Sequence, residues 1–390
     1  MKNLNDILFS LIAPVLNAEC GTLSSKCEAL DEATLRAVYA LAKKHDLGHL
    51  IAAAINNAEC KAHNVERGAW STEIMAELEQ TQLTAVWRVR NIENEQGRVR
   101  KILEEAGIPF ILLKGSVTRS YYPEPWMRTS SDIDLLVPED RLDDTVCLLR
   151  DSLGSKISTR APRDASLFAP SGVHFDVHTA IEGDTEDDKI LTRVWDTSRD
   201  NGGFERFMSP ETFYFHHVSH MAKHMRNGGC GIRPFIDLYL INRELPYDRG
   251  EVLDILSEFG LSRFEGAAVR LSRAWMCGES CDGLEAMEEY IFTGGVYGSV
   301  AQNVASKQRG SKNRLGYLWR RVFMPYSELK KRHKALDGRP WLTPFFEVWR
   351  WLSLFDFMNF KRSARELATT ARLDGQSVKD VASLLDSLGI

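Results

Sequence analysis

Through the first hundred residues, apolar side chains recur every third or fourth position. "DEATLRAVYALAKKHDLGHLIAAAI" opens with a cap at Asp31 and Glu32, and "STEIMAELEQTQLTAVWRVRNIENEQGRVRKILEEAG" carries the same period from a Ser71 cap to Gly107. Residues 1–106 are expected to form an N-terminal helical region. After Gly107 the period changes. "IPFILL" predicts a short buried strand, "DIDLLV" a second one ended by Pro138, and "EDRLDDTVCLLRDSLG" a helix that closes at Gly154. "GVHFDVHTAI" alternates cleanly and predicts a third strand, so residues 107–208 read as an α/β core. From Ser209 the helical period returns. "SPETFYFHHVSHMAKHMRNGG" places Ser at the cap, Pro at the first helical position and a glycine pair at the end. "RPFIDLYLINRE", "GEVLDILSEFG" and "LSRFEGAAVRLSRAWM" follow as shorter helices, and the chain from Lys361 reads as a polar, peripheral helical tail. Residues 209–390 are expected to form a C-terminal helical domain. The fold class is α/β (α+β), a small mixed β-sheet core flanked by helical regions.

Composition narrows the picture only a little. The chain has 390 residues, 44% hydrophobic and 26% charged, which describes an ordinary globular protein with more than one core. Its net charge of −5 gives no global basic field for nucleic acid or a membrane surface. The seven scattered cysteines read as reduced thiols, and the expected localisation is cytoplasmic. "MKNLNDILFSLIAPVLNAEC" raises the question of a signal peptide. Asp6 and Pro14 interrupt it, and its apolar spacing favours an amphipathic helix. No run has the length of a transmembrane segment.

The chemistry concentrates between Ile111 and His178. Residues i and i+2 of a strand share a face, so Asp132 and Asp134 point the same way while Ile133 and Leu135 point to the core. Two carboxylates that close repel each other. One is driven to take up a proton unless a cation lies between them, and oxygen ligands of this kind suit Mg2+ or Mn2+. Asp176 in "HFDVH" supplies a third carboxylate, on the face it shares with His174 and His178. Upstream, Gly115 and Ser116 follow the first strand at the start of a short helix. There a glycine lets a phosphate approach the backbone, helix-start amides attract anions, and the hydroxyl adds a donor. Lys114 beside them reads either as a phosphate ligand or as an ion-paired surface residue. Taken alone, an Asp-x-Asp before a helix is better explained as a strand-end cap or a solvated edge; with Gly115-Ser116 before it and Asp176 after it, a metal site with Asp132, Asp134 and Asp176 as ligands is the stronger reading.

These residues resemble the polymerase-beta-like nucleotidyltransferase superfamily, with its Gly-Ser, Asp-x-Asp and third-Asp pattern. "LLKGSVTRSYYPEPWMRTSSDIDLLV", "FDVHTAI", "HMAKHM", "IRPFIDLYLI", "YIFTGGVYGS" and "FMPYSELKKRHKALDGRPWLTPFFEVWRWL" are similar to the bacterial "uncharacterised nucleotidyltransferase" family, over roughly Lys101 to Leu354. The resemblance implies that Asp132, Asp134 and Asp176 are catalytic metal ligands and that Gly115 and Ser116 hold phosphate. It implies transfer of a nucleoside monophosphate from an NTP to a hydroxyl or phosphate of an unknown acceptor, a small molecule, peptide or protein, with pyrophosphate release. Nucleotide-sugar-dependent or phosphoryl transfer at the same metal–diphosphate site is the alternative. A non-catalytic nucleotide- or partner-binding module is a third reading, disfavoured because all three aspartates are present. The interval between Ser116 and Asp132 is longer than in the superfamily pattern. The insert "YYPEPWMRTSS" is expected to loop out beside the nucleotide pocket, with Arg128 meeting a phosphate or pairing with an aspartate.

Other motifs keep two readings each. His216, His220 and His224 form a stripe spaced by four. Zinc is disfavoured, since "HMAKH" lacks the glutamate of a metallopeptidase. His220 or His224 reads as a contact to nucleotide phosphate, as His178 does, or to an aspartate ligand; the stripe reads equally as structural, bonded for example to Asp237. Arg233 and Asp237 read as an intrahelical ion pair or as a buried pair that positions the helical part. "TGGVYGS" is a loop near substrate or an ordinary turn. "ELKKRHK" and "WRRVF" are basic with aromatics nearby, but nucleic acid is the lesser reading for a chain that is acidic overall. "RPWLTPFFEVWRWLSLFDF" reads as packing helices or as a membrane or partner surface.

Overall fold

The computed structural model describes residues 3–19, 23–28, 30–61, 70–181, 194–200, 202–296, 298–308, 324, 326, 329–330, 333–353 and 375–390. "WRRVF", Tyr297 of "TGGVYGS", parts of "ELKKRHK", the end of the Trp-rich stretch and residues 361–374 of the tail lie outside the described residues. The chain forms two compact units. One comprises Met1–Ala222 with Ile232–Glu285, the other Lys223–Gly231 with Ala286–Ile390.

The first unit begins with helices α1 (Leu4–Leu16), α2 (Leu23–Glu28), α3 (Glu32–Lys44), α4 (Gly48–Lys61) and α5 (Thr72–Glu105). Asp31 caps α3 through a bond from the Thr34 amide, 2.7 Å. Ser71 precedes α5 as expected, but its hydroxyl donates to Glu32 and does not cap the helix. The sheet has seven strands: β1 (Phe110–Leu112), β2 (Asp132–Leu136), β3 (Lys156–Arg160), β4 (Asp164–Phe168), β5 (His174–His178), β6 (Arg199–Asp200) and β7 (Glu205–Phe207), in the order β3-β4-β5-β2-β1-β7-β6. Helix α6 (Gly115–Thr118) follows β1. Helix α7 (Leu142–Leu153) follows β2 and stops at Gly154, whose φ of 66° is the left-handed conformation glycine adopts at low cost. The sheet is mixed, since β2 pairs β5 in parallel and β1 antiparallel. No described helix is long and apolar enough to cross a membrane.

Period two sorts the strands' side chains. Ile133, Leu135, Phe175, Val177, Ala165 and Leu167 lie on one face. They pack with Ile92, Val99 and Leu103 of α5 and Val146, Leu149 and Leu153 of α7 in one buried cluster. The alternate residues of β2, β5 and β4 are therefore turned to the opposite face, where the polar side chains gather. The sheet is larger than the three strands expected. The β3–β4 hairpin has no period-two signal in its first strand, because all five residues of β3 are exposed, and β6 and β7 are only two and three residues long.

The insert between Ser116 and Asp132 does not project freely. It folds as two 3-10 turns, Arg119–Tyr121 and Pro125–Met127, and is clamped from two sides. Arg128 donates twice to Asp237 of the helix Arg233–Glu244, Nε to Oδ1 at 3.1 Å and Nη2 to Oδ2 at 2.9 Å, and the Tyr122 hydroxyl donates to the same carboxylate at 2.7 Å. Burial alone would raise Asp237, but Arg128 outweighs it and holds the carboxyl below its ordinary range. On the other side Asp46 accepts from Thr129 at 3.0 Å and Arg233 at 2.8 Å, and His49 meets the Met127 carbonyl at 2.9 Å. Arg233 and Asp237 thus do not pair with each other; each reaches across to a different element because both face the insert.

Removing one member of a buried ion pair leaves the other charge unpaired. Asp237→Ala is expected to lose about 3–5 kcal/mol, read as a lower urea midpoint at unchanged slope. The double variant Arg128→Met/Asp237→Leu is expected to lose clearly less.

Candidate active site

The parallel pairing of β2 with β5 sets the site. Its register places Asp132 beside His174, Asp134 beside Asp176 and Leu136 beside His178. On the far side of β5, Ser166 of β4 stands opposite Asp176. Neighbouring strands are about 4.8 Å apart, so the Asp134 and Asp176 carboxylates are forced close. Ligand atoms of Asp134, Asp176 and His178 lie within 4.8 Å of one another, the one such group among the described residues.

Each carboxylate meets the crowding differently. Asp134 is 5% exposed, and its Oδ1 is 2.8 Å from Lys114 Nζ and 3.2 Å from His178 Nε2. Burial pushes Asp134 up, but the His178 hydrogen bond and the Lys114 charge outweigh it and hold its carboxyl at about 2. Asp176 Oδ1 accepts from the Ser166 hydroxyl and lies 3.3 Å from His174 Nε2. No side-chain donor reaches the Asp132 carboxylate among the described residues. Burial, and next the charge of Asp134, raise its carboxyl above the ordinary range, against the pull of Lys114 and Arg128. The repulsion read from the Asp-x-Asp spacing therefore falls on Asp132, while Asp134 is already compensated.

The Gly-Ser turn precedes this edge. Lys114 has φ 46° and ψ −121°, a strained conformation for a residue with a side chain, costing about 1–3 kcal/mol. It is fixed from both ends: its carbonyl accepts from Val117 and Thr118, and its ammonium is held by Asp134. The turn's amides are less open than a helix start suggests. Those of Ser116 and Val117 donate to Leu113 and Lys114, which leaves Gly115 N–H and the Ser116 hydroxyl without a partner among the described residues. The space around Gly115 is tight. A Cβ there would come 3.1 Å from Arg128 Nη1 and 3.4 Å from Ser130 Cβ.

Thus Lys114, Asp134, Asp176 and His178 come together, with Asp132 on the same face and Gly115-Ser116 next to Lys114. Arg128 lies behind Gly115 with its guanidinium committed to Asp237, the second of the two roles expected for it. His220 and His224 are on the helix Pro210–Arg226, the ligand group among the described residues consists of Asp134, Asp176 and His178, and the His216 and His220 rings stand 6.0 Å apart. Sequence reasoning missed Ser166, because the polar hairpin that carries it was not recognised. It left His174 without a role, although its place on the Asp176 face was visible.

The family model described as uncharacterised nucleotidyltransferase matches residues 31–277, well over half of the chain, and the chain belongs to that family. Membership supports a general nucleotidyltransfer role. The match includes the N-terminal helices from Asp31 and stops at Cys277, so "YIFTGGVYGS" and "FMPYSELKKRHK" lie beyond it. No curated protein matches the chain, and no solved structure does.

A carboxyl raised on folding binds more protons in the folded than in the unfolded chain, so stability falls as pH rises past its ordinary value of 3.8. With divalent cations chelated, Asp132→Asn is expected to melt above the parent at pH 7. The difference should shrink as pH falls below that ordinary value, where the parent's Asp132 is protonated. Calorimetry across pH 3–7 checks both parts.

Proposed function

We propose that the protein is a metal-dependent nucleotidyltransferase that moves a nucleoside monophosphate from an NTP to a hydroxyl or phosphate of an acceptor and releases pyrophosphate. The observation that carries this reading is the side-by-side register of Asp134 and Asp176 on parallel strands, next to the Gly-Ser turn. The donor set fits a divalent cation. It is rich in carboxylate oxygen, carries one imidazole, and has on the same face Asp132, whose carboxyl burial and Asp134 raise. Asp132, Asp134 and Asp176 would hold Mg2+ or Mn2+, which when bound supplies a Lewis acid for the phosphates.

The chain's own residues have separable tasks in this reading. His178 orients Asp134, as a group behind a metal ligand does, and Ser166 and His174 fix Asp176. Asp176 takes the proton of the acceptor hydroxyl. The acceptor oxygen then bonds to the α-phosphorus, the bond from that phosphorus to the bridging oxygen breaks, and the pyrophosphate leaves with the electron pair. Lys114 offsets the charge that builds on the leaving group. Gly115 N–H and the Ser116 hydroxyl are donors for its oxygens.

The test is a screen of the four labelled NTPs with magnesium or manganese against fractionated acceptors, with phosphate products resolved. Pyrophosphate release with label on the acceptor is expected, and Asp134→Ala and Asp176→Asn should each lower turnover by at least a thousandfold. Release of a nucleoside diphosphate would assign sugar or phosphoryl transfer instead. Asp176→Asn should still bind a non-hydrolysable NTP by calorimetry.

A further inference from the structure

Three cationic side chains converge around the Gly-Ser turn, and two of them have carboxylate partners. Lys114 is paired with Asp134 and Arg128 with Asp237. The third is Arg119, only 4% exposed. Its Nη2 donates to Ser130 Oγ at 2.8 Å and its Nε to the Arg128 carbonyl at 3.3 Å, both neutral acceptors. Among the described residues no carboxylate lies within ion-pairing distance of it. A buried guanidinium served by neutral groups is costly to keep. Burial, and next the neighbouring Arg128, lower its pKa to about 10 against the pull of Glu93, Asp132 and Asp237, which lie beyond ion-pairing distance, so the side chain stays charged at neutral pH. Ser130 connects this charge to the turn, because a Cβ on Gly115 would lie 3.5 Å from Ser130 Oγ. One hydroxyl therefore separates the Arg119 guanidinium from the glycine at which phosphate is expected.

We propose that Arg119 is a positioning residue for the substrate's polyphosphate: it orients the Ser130 hydroxyl at the Gly-Ser turn and supplies the positive charge that a bound diphosphate or triphosphate balances. For the identity of the ligand, this rests on the nucleotidyltransferase reading. Lys114 and Arg128 each share their charge with an internal carboxylate, so Arg119 adds a cation to the one Lys114 already brings to the turn. A tether with no electrostatic task would be served by neutral side chains of the same reach, without burying a charge.

Inorganic pyrophosphate in magnesium buffer is the probe, with binding read by calorimetry on the full chain. Arg119→Met is expected to bind it at least tenfold more weakly, with a shallower salt dependence, while melting no lower than the parent because a buried charge has been removed. Arg119→Lys keeps the charge and should recover most of the affinity. Affinity for pyrophosphate within threefold of the parent in Arg119→Met overturns the proposal, as does a loss that Arg119→Lys shares in full. If Arg119→Met does not fold, Ser130→Ala decides: a tenfold loss supports the proposal and unchanged affinity overturns it. NTP turnover by the parent is scored separately. A parent that consumes no NTP but shows the Arg119 effect defeats the transferase reading and leaves a polyphosphate site. An active parent with the variants' affinity unmoved defeats only the present proposal.

Discussion

The constraint behind this architecture is electrostatic: two carboxylates, Asp134 and Asp176, stand in register on neighbouring parallel strands. Strand pairing fixes their separation, so the fold cannot relieve the repulsion by moving them apart. It relieves it with partners. Lys114 and His178 meet Asp134, while Ser166 and His174 meet Asp176. Among the described residues Asp132 has no comparable partner, and burial together with Asp134 raises its carboxyl above the ordinary range. On the proposed reading, a divalent cation among these groups would offset the charge that the side chains leave open.

The same logic explains how the Gly-Ser turn is held. Lys114 occupies a strained backbone conformation that places its ammonium on Asp134. Behind the turn, Arg128 crowds the position a Gly115 Cβ would take, and it is held by Asp237 and flanked by the Asp46–Thr129–Arg233 bonds. The segment between Ser116 and Asp132 is thus a buttress. It connects the helices before the sheet to the helix Arg233–Glu244 and hands that rigidity to the turn. Buried ion pairs add little net stability when compared with apolar packing, but removing one partner leaves the other charge buried and unpaired.

Much of the sheet and site could be read along the chain. The period-two segments at β2 and β5 and the helix ending at Gly154 carry their signals locally, and Asp132, Asp134 and Asp176 were visible as same-face carboxylates. The β3–β4 hairpin was not, since an exposed strand such as Lys156–Arg160 has no buried face to impose alternation. Ser166 went unnoticed with it. For Arg128 the sequence left two fates open, because its partner lies 109 residues away.

The amino-acid sequence by itself determined which residues carry charge, which periods they follow, and that a glycine and a hydroxyl precede an Asp-x-Asp strand. These are consequences of backbone geometry over a few residues. Only the tertiary structure decided which carboxylate faces which, that Asp134 is compensated while Asp132 is not, and that Arg119 is buried among neutral partners. Those outcomes depend on strand register and on contacts between distant segments, and on how much water is excluded around each charge. None of the three is a property of neighbouring residues.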